Sequence, residues 1–237
     1  MLEHPFRKFG PILAPWIEAY APAGPGPQPL ADEAATGRRN PRGNNGRIDT
    51  PDETPEQRLN RLFAGQSASA TPEQREAVQR WQEKDNRFYR EVQQAAQNQR
   101  ATQLAYQVMD DLQDLMAPLP EDVEVWRGIR NSVAVFGVPP AEIENLIGGD
   151  GTEVPMFFAT SLARNVATTE FTTPGPYPVL YKITAQMGTP TIWVPPLGRQ
   201  NDAYQQEILF PPAVVVRILG VDRRRSVPVV EAEVNDG

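Results

Sequence analysis

The stretch Tyr204-Gln205-Gln206-Glu207-Ile208-Leu209-Phe210-Pro211-Pro212 divides a polar loop from an apolar, β-favouring run. Glu207 therefore sits at the rigid start of a strand, with a more mobile approach before it. A single carboxylate at a strand edge is ordinarily a solvated charge. Two upstream segments give this one more weight: Val125-Trp126-Arg127-Gly128-Ile129 and Phe157-Phe158-Ala159-Thr160-Ser161. The rest of the chain is read as what brings the three together.

A length of 237 residues suits one domain of ordinary size with an extension, or two small domains. Hydrophobic residues make up 40%, enough for a buried core. The formal charge is −7, and residues 56–237 carry most of it, with 17 Lys and Arg against 23 Asp and Glu. Such a balance disfavours general affinity for phosphate backbones. The absence of cysteine excludes disulfides, thiolate nucleophiles and thiolate-bound metals, and leaves the redox compartment open. The single histidine, His4, lies in a Pro-rich extension, which argues against histidine catalysis and histidine-ligated zinc.

Ten of the 25 prolines fall within the first 55 residues. Leu2–Tyr20 carries Phe6, Phe9, Ile12, Leu13, Trp16, Ile17 and Tyr20, too few to build a core alone, and reads as a docking peptide for the domain or for a protein partner. Residues 21–55 lack hydrophobic periodicity and read as a linker. Phe9–Tyr20 is too short to span a bilayer and contains Pro11, Pro15 and Glu18, so neither a membrane span nor a signal peptide is expected. Residues 56–237 then form the domain.

Thr54-Pro55-Glu56 and Thr71-Pro72-Glu73 each predict a helix start: a Thr cap, Pro in the first turn and an early acidic residue. The second helix is expected to carry Val78, Trp81, Phe88 and Val92 as core. A third, near Ala101–Met116, has the stripe Leu104, Val108, Leu112, Leu115. A short helix is expected over Pro140–Ile147. Strands are expected at Val123–Ile129, Pro155–Ala159, Val179–Ala185, Thr191–Val194, Glu207–Phe210, Val214–Asp222 and Val227–Val234. Helices first and strands second, without βαβ alternation, give an α+β fold.

Without Cys, catalytic His or a metal cluster, one chemistry that suits the chain is cleavage of an activated glycosidic bond. The C–N bond joining nicotinamide to ribose already has a good leaving group. A fixed carboxylate stabilises the cation that forms, and an Arg fork holds a pyrophosphate. In this light residues 71–234 resemble mono-ADP-ribosyltransferases of the Arg/Ser-Thr-Ser/Glu group of bacterial toxins. The resemblance lies in Trp126-Arg127-Gly128, in Ala159-Thr160-Ser161 followed by Ala167 and Phe171, and in Gln205-Gln206-Glu207 before Ile208-Leu209-Phe210-Pro211-Pro212. Asn86-Arg87-Phe88-Tyr89-Arg90 resembles that family's helical Asn-x-x-x-Arg.

The resemblance implies N-terminal helices packed on a two-sheet β core with a central NAD cleft. It implies Glu207 as the catalytic carboxylate, Arg127 and Arg90 at the NAD phosphates, and Gly128 at the nicotinamide amide. Phe171 lies over nicotinamide, and Thr160 and Ser161 orient the carboxylate. It places a mobile cover at Thr172–Tyr177 and a substrate-recognition loop at Gly198–Tyr204. NAD is then a substrate, and no metal is expected. Two departures stand out: Ala159 replaces the Ser that usually bonds the catalytic Glu, and Asp202 replaces the usual loop aromatic, leaving Tyr204 as the nearest ring. Gln205 stands where arginine-modifying members have Glu. A neutral amide points to Asn or Gln on a protein acceptor, or to a guanine base, and the acidic charge favours protein. The expected activity is mono-ADP-ribosyl transfer from NAD by a toxin, an effector or an enzyme carried in a phage particle. The alternatives are an NAD glycohydrolase, a DNA-base ADP-ribosyltransferase, and a structural or docking protein that carries this domain.

Overall fold

A computed structural model describes residues 53–84, 87–172 and 175–236. The expectations for the docking peptide, for the linker up to residue 52, and for Asn86, Thr173 and Pro174 fall outside these residues.

Both threonine signals start helices. Thr54 caps α1 (Pro55–Leu62) and Thr71 caps α3 (Pro72–Trp81). In each, the Thr hydroxyl accepts from the third helical N–H, while Gln57 or Gln74 reaches back to the cap. Between them lies the short α2 (Ala64–Ser69). The single helix expected through Val78 and Val92 is instead two, α3 and α4 (Tyr89–Ala96). Arg87 adopts a left-handed φ of 55°, which no continuous helix permits. Trp81 and Phe88 nevertheless lie in the same core, on either side of the break.

The helix α5 (Gln103–Leu115) buries Val108, Leu112 and Leu115, while Leu104 at the head of the expected stripe is exposed. Together α3, α4 and α5 pack against Ile192 and Leu209 of the sheet and against Phe157 just before it. This burial of apolar side chains is the main force holding the helices to the strands.

The strands are β1 (Ala117–Pro118), β2 (Val123–Ile129), β3 (Thr152–Glu153), β4 (Phe158–Ser161), β5 (Val179–Ala185), β6 (Pro190–Trp193), β7 (Glu207–Phe210), β8 (Val215–Asp222) and β9 (Val229–Asn235). Among the described residues they form one hydrogen-bonded order, β1-β6-β7-β4-β2-β5-β9-β8-β3. Only β5 and β9 pair in parallel. The expected two sheets are two halves of this order, joined at β2 and β4 by a single register pair, Trp126 with Ser161. On either side of this joint pairing is extensive: β2 runs beside β5 from Val123 to Ile129, and β4 beside β7 from Phe158 to Ser161. The two halves share one core, with Val125, Tyr181 and Ile183 from one and Phe158, Ile208 and Phe210 from the other.

Two further helices fill the connections. The short α6 (Ser132–Phe136) follows β2, and α7 (Arg164–Phe171) follows β4 and packs on β2. The helix expected over Pro140–Ile147 is a 3₁₀ segment, Pro140–Leu146.

Thr71→Ala removes the hydroxyl of one capping box. The expected result is a loss of about 1 kcal/mol of stability, read as a lower urea midpoint. An unchanged midpoint would show that the cap adds nothing to α3.

Candidate active site

Because β2 and β4 touch at one pair, the sheet is open just beyond it. Ser161 is the crossing point, opposite Trp126 of β2 on one side and Glu207 of β7 on the other. A narrow cleft lies there and is lined by Arg127, Gly128, Thr160, Ser161, Phe171, Gln205 and Glu207. Seven of the eight expected site residues thus meet at one place, with Trp126 and Ala159 beside them. The eighth, Arg90, is not among the lining residues. It is half-buried on α4, with its Nε 3.4 Å from the Tyr89 hydroxyl.

Glu207 is 4% exposed, so its carboxylate has left bulk water and needs donors. Trp81 Nε1 donates to one oxygen at 2.8 Å and Gln82 Nε2 to the other at 3.0 Å. Both donors come from the end of α3, 126 and 125 residues earlier in the chain. Trp81 is itself wedged edge-on to Tyr89 and tilted against Phe157, so the indole has a fixed direction. Helical spacing alone marks Trp81 as a core residue. It is in the core, and it also holds the carboxylate.

The hydroxyls of the Thr-Ser pair are engaged elsewhere. Ser161 Oγ donates to the Gln205 carbonyl at 2.6 Å and accepts from the Ala163 N–H at 2.9 Å, and Thr160 Oγ1 donates to the Ile208 carbonyl at 3.1 Å. They clip the end of β4 to the chain around Glu207. That chain is a 3₁₀ turn, Gln200–Gln205, followed by Gln206 in the left-handed region at φ 46°. The reversal at Gln206 lets Gln205 and Glu207 both face the cleft while Gln206 turns away to donate to Glu56 at 2.9 Å.

Arg127 is 6% exposed, bonded through Nη1 to the Ala159 carbonyl, with its guanidinium 4.7 Å from the centre of the Phe158 ring. Ala159 thus contributes a main-chain acceptor where its side chain can offer none. Gly128 has a steric reason to be glycine: a Cβ there would lie 2.2 Å from the Ala167 carbonyl and 2.6 Å from Phe171 Cβ. The bare backbone lets α7 close onto β2 and sets Phe171 at the cleft wall.

Arg130, one residue past β2, was not anticipated. Its Nη2 donates to the Glu170 carbonyl at 2.8 Å, and its Nε is buried without a partner. Burial depresses its pKa, the expected result for a guanidinium moved out of water. A spacing of three residues from Arg127 was the only trace of it in the sequence.

In the loop before Gln205, Asp202 is an anchor. Its carboxylate takes the Lys84 ammonium at 2.6 Å. Burial works against the Lys84 charge, but the Asp202 carboxylate, with Tyr204 and Glu170 nearby, outweighs it, so the ammonium titrates above its ordinary value. Tyr204 is the exposed ring, half in solvent, with its hydroxyl 3.4 Å from a Glu170 carboxylate oxygen at the end of α7.

No family model and no curated protein matches the chain. Solved structures do. Plx2a, an ADP-ribosyltransferase toxin from Paenibacillus larvae, is 16% identical and superposes at a TM-score of 0.56 over 76% of this chain and 94% of that one. ADP-ribosyltransferase HopU1 of Pseudomonas syringae pv. Tomato DC3000 is 15% identical, at 0.56 over 74% and 82%. Exoenzyme S from Pseudomonas aeruginosa, bound to carba-NAD and in complex with human 14-3-3 protein beta, is 17% identical, at 0.51 over 75% and 80%. The chain has the ADP-ribosyltransferase fold. Among the described residues no helix is long and apolar enough to cross a membrane.

Gly128→Ala tests the close approach of α7. Overpacking there is expected to cost about 1–3 kcal/mol in urea unfolding, with proteolysis rising first around Phe171. A variant as stable as the parent would mean that α7 yields without cost.

Proposed function

We propose that the chain is an NAD-dependent mono-ADP-ribosyltransferase that moves ADP-ribose to a macromolecular acceptor and releases nicotinamide. The observation that carries this reading is the convergence of Glu207, Arg127 and Ser161 at the one-pair joint of the sheet. The fold shared with the ADP-ribosyltransferases Plx2a and HopU1 supports it, as does the NAD analogue bound by Exoenzyme S.

The residues present suit NAD. Arg127 supplies positive charge at the wall and serves the pyrophosphate, with Arg90 beyond the cleft as the second cation. Gly128 offers main-chain bonds to the nicotinamide amide, and Phe171 offers a ring face to its pyridine. As the C–N bond breaks, its electron pair leaves with nicotinamide and positive charge develops on the ribose. Glu207 faces that charge from a site of low polarity, where a fixed carboxylate acts more strongly than in water. Its two donors hold it in place, so little reorganisation is needed during the reaction. Thr160 and Ser161 fix the turn that presents Glu207 and Gln205. Gln205, buried and neutral, meets the acceptor, and an amide there suits Asn or Gln on a protein better than a guanidinium. Delivery as a toxin, effector or phage-borne enzyme is compatible with this chemistry.

Hydrolysis of NAD is the same reaction with water as acceptor. Incubation with biotin-labelled NAD, followed by protease or nuclease treatment, separates protein transfer, nucleic-acid transfer and simple hydrolysis. Absence of any NAD binding by calorimetry would instead favour a structural role.

Glu207→Gln is expected to abolish nicotinamide release while leaving NAD affinity nearly unchanged. Unchanged turnover would remove Glu207 from the chemistry. Gln205→Glu is expected to move transfer towards arginine side chains, and an unaltered acceptor profile would sink the role given to Gln205.

A further inference from the structure

We infer that Gln82 is a positioning residue that couples the Glu207 carboxylate to the acceptor-side loop, with Trp81 fixing the carboxylate from its other oxygen. This rests on the reading of Glu207 as the carboxylate that faces the ribosyl cation. The Gln82 amide is used at both ends. Its Nε2 donates to Glu207 at 3.0 Å, and its Oε1 accepts from the Arg199 N–H at 2.8 Å, where the 3₁₀ turn carrying Gln205 begins. Each neighbour dictates one end: a carboxylate requires a donor and a backbone N–H requires an acceptor, so one orientation of the amide satisfies both.

The chain is shaped around this contact. Gln82 is 7% exposed. A Cβ on Gly198 would lie 2.2 Å from Gln82 Oε1, so any other residue there would push the amide aside. Two residues on, Lys84 grips Asp202 in the same turn at 2.6 Å. The corner that breaks α3 from α4 therefore ties the carboxylate and the loop to one body. Displacing the loop, as an acceptor docking on it would, pulls on the donor that aims Glu207. The arrangement also answers the Ala159 departure, since the carboxylate is aimed by groups outside the β4 triplet.

Three full-chain variants separate the two ends. Trp81→Phe keeps the ring and deletes the indole donor. Gln82→Glu keeps an acceptor for Arg199 and sets a second carboxyl against Glu207, so that the two must share a proton. Gln82→Met deletes both. Steady-state nicotinamide release from NAD is measured beside hydrogen–deuterium exchange of segment 198–205. All three are expected to lower kcat by about 10- to 100-fold, the scale of a misplaced reacting group, with KM for NAD unchanged. Exchange in 198–205 should speed up in Gln82→Met and stay at the parent rate in the other two.

Parent-like kcat in Trp81→Phe and Gln82→Met would overturn the positioning role. Parent-like exchange in Gln82→Met would overturn the coupling. Faster exchange throughout α5 and β5 would make Gln82 a general stability residue and also overturn it. If the parent protein itself releases no nicotinamide, the functional reading falls, and the exchange comparison alone decides whether Gln82 ties the loop.

Discussion

A carboxylate buried to 4% exposure must be met by donors, and the structure around Glu207 follows from that requirement. An unpaired charge in such a place would cost several kcal/mol or be neutralised by a proton. Trp81 and Gln82 supply the donors without adding a charge. These two hydrogen bonds, one to each oxygen, fix the direction of the carboxylate. The helical layer thus does more than cover the sheet, since its third helix ends where the carboxylate needs it.

The second organising feature is the incomplete joint between β2 and β4. A sheet paired along its full length would close over its own backbone and leave no gap. Here one pair, Trp126 with Ser161, keeps the halves in register while the strands part beyond it. Gly128 and Arg127 come to the opening from one half, and Thr160, Ser161 and Glu207 from the other. Arg127 bridges the gap by reaching the Ala159 carbonyl.

Much of this was legible in the sequence, for local reasons. β5 and β7 carry compact apolar runs, and both were expected at their observed limits. The Thr-Pro-Glu signals mark helix starts because capping is settled within one turn. The three motif segments do meet. What could not be read was long-range or phase-neutral. The break between α3 and α4 hides because Trp81 and Phe88 keep helical spacing across it, and an Arg is not the residue that announces a left-handed turn. The bond from Trp81 to Glu207 spans 126 positions and leaves no local mark. Arg130 looked like any arginine after a strand, and Asp202 looked like a loop charge until Lys84 was seen against it.

The place of β9 has a consequence for how the molecule comes into being. It is the last described strand, yet it lies inside the order, parallel to β5 on one side and antiparallel to β8 on the other. During synthesis, β2 and β5 emerge well before it, and β5 must wait with one edge unpaired until residues 229–235 leave the ribosome. Pairing across such a separation in the chain is slow compared with local hairpins. A nascent chain therefore carries every motif of the cleft before it has the sheet that holds them.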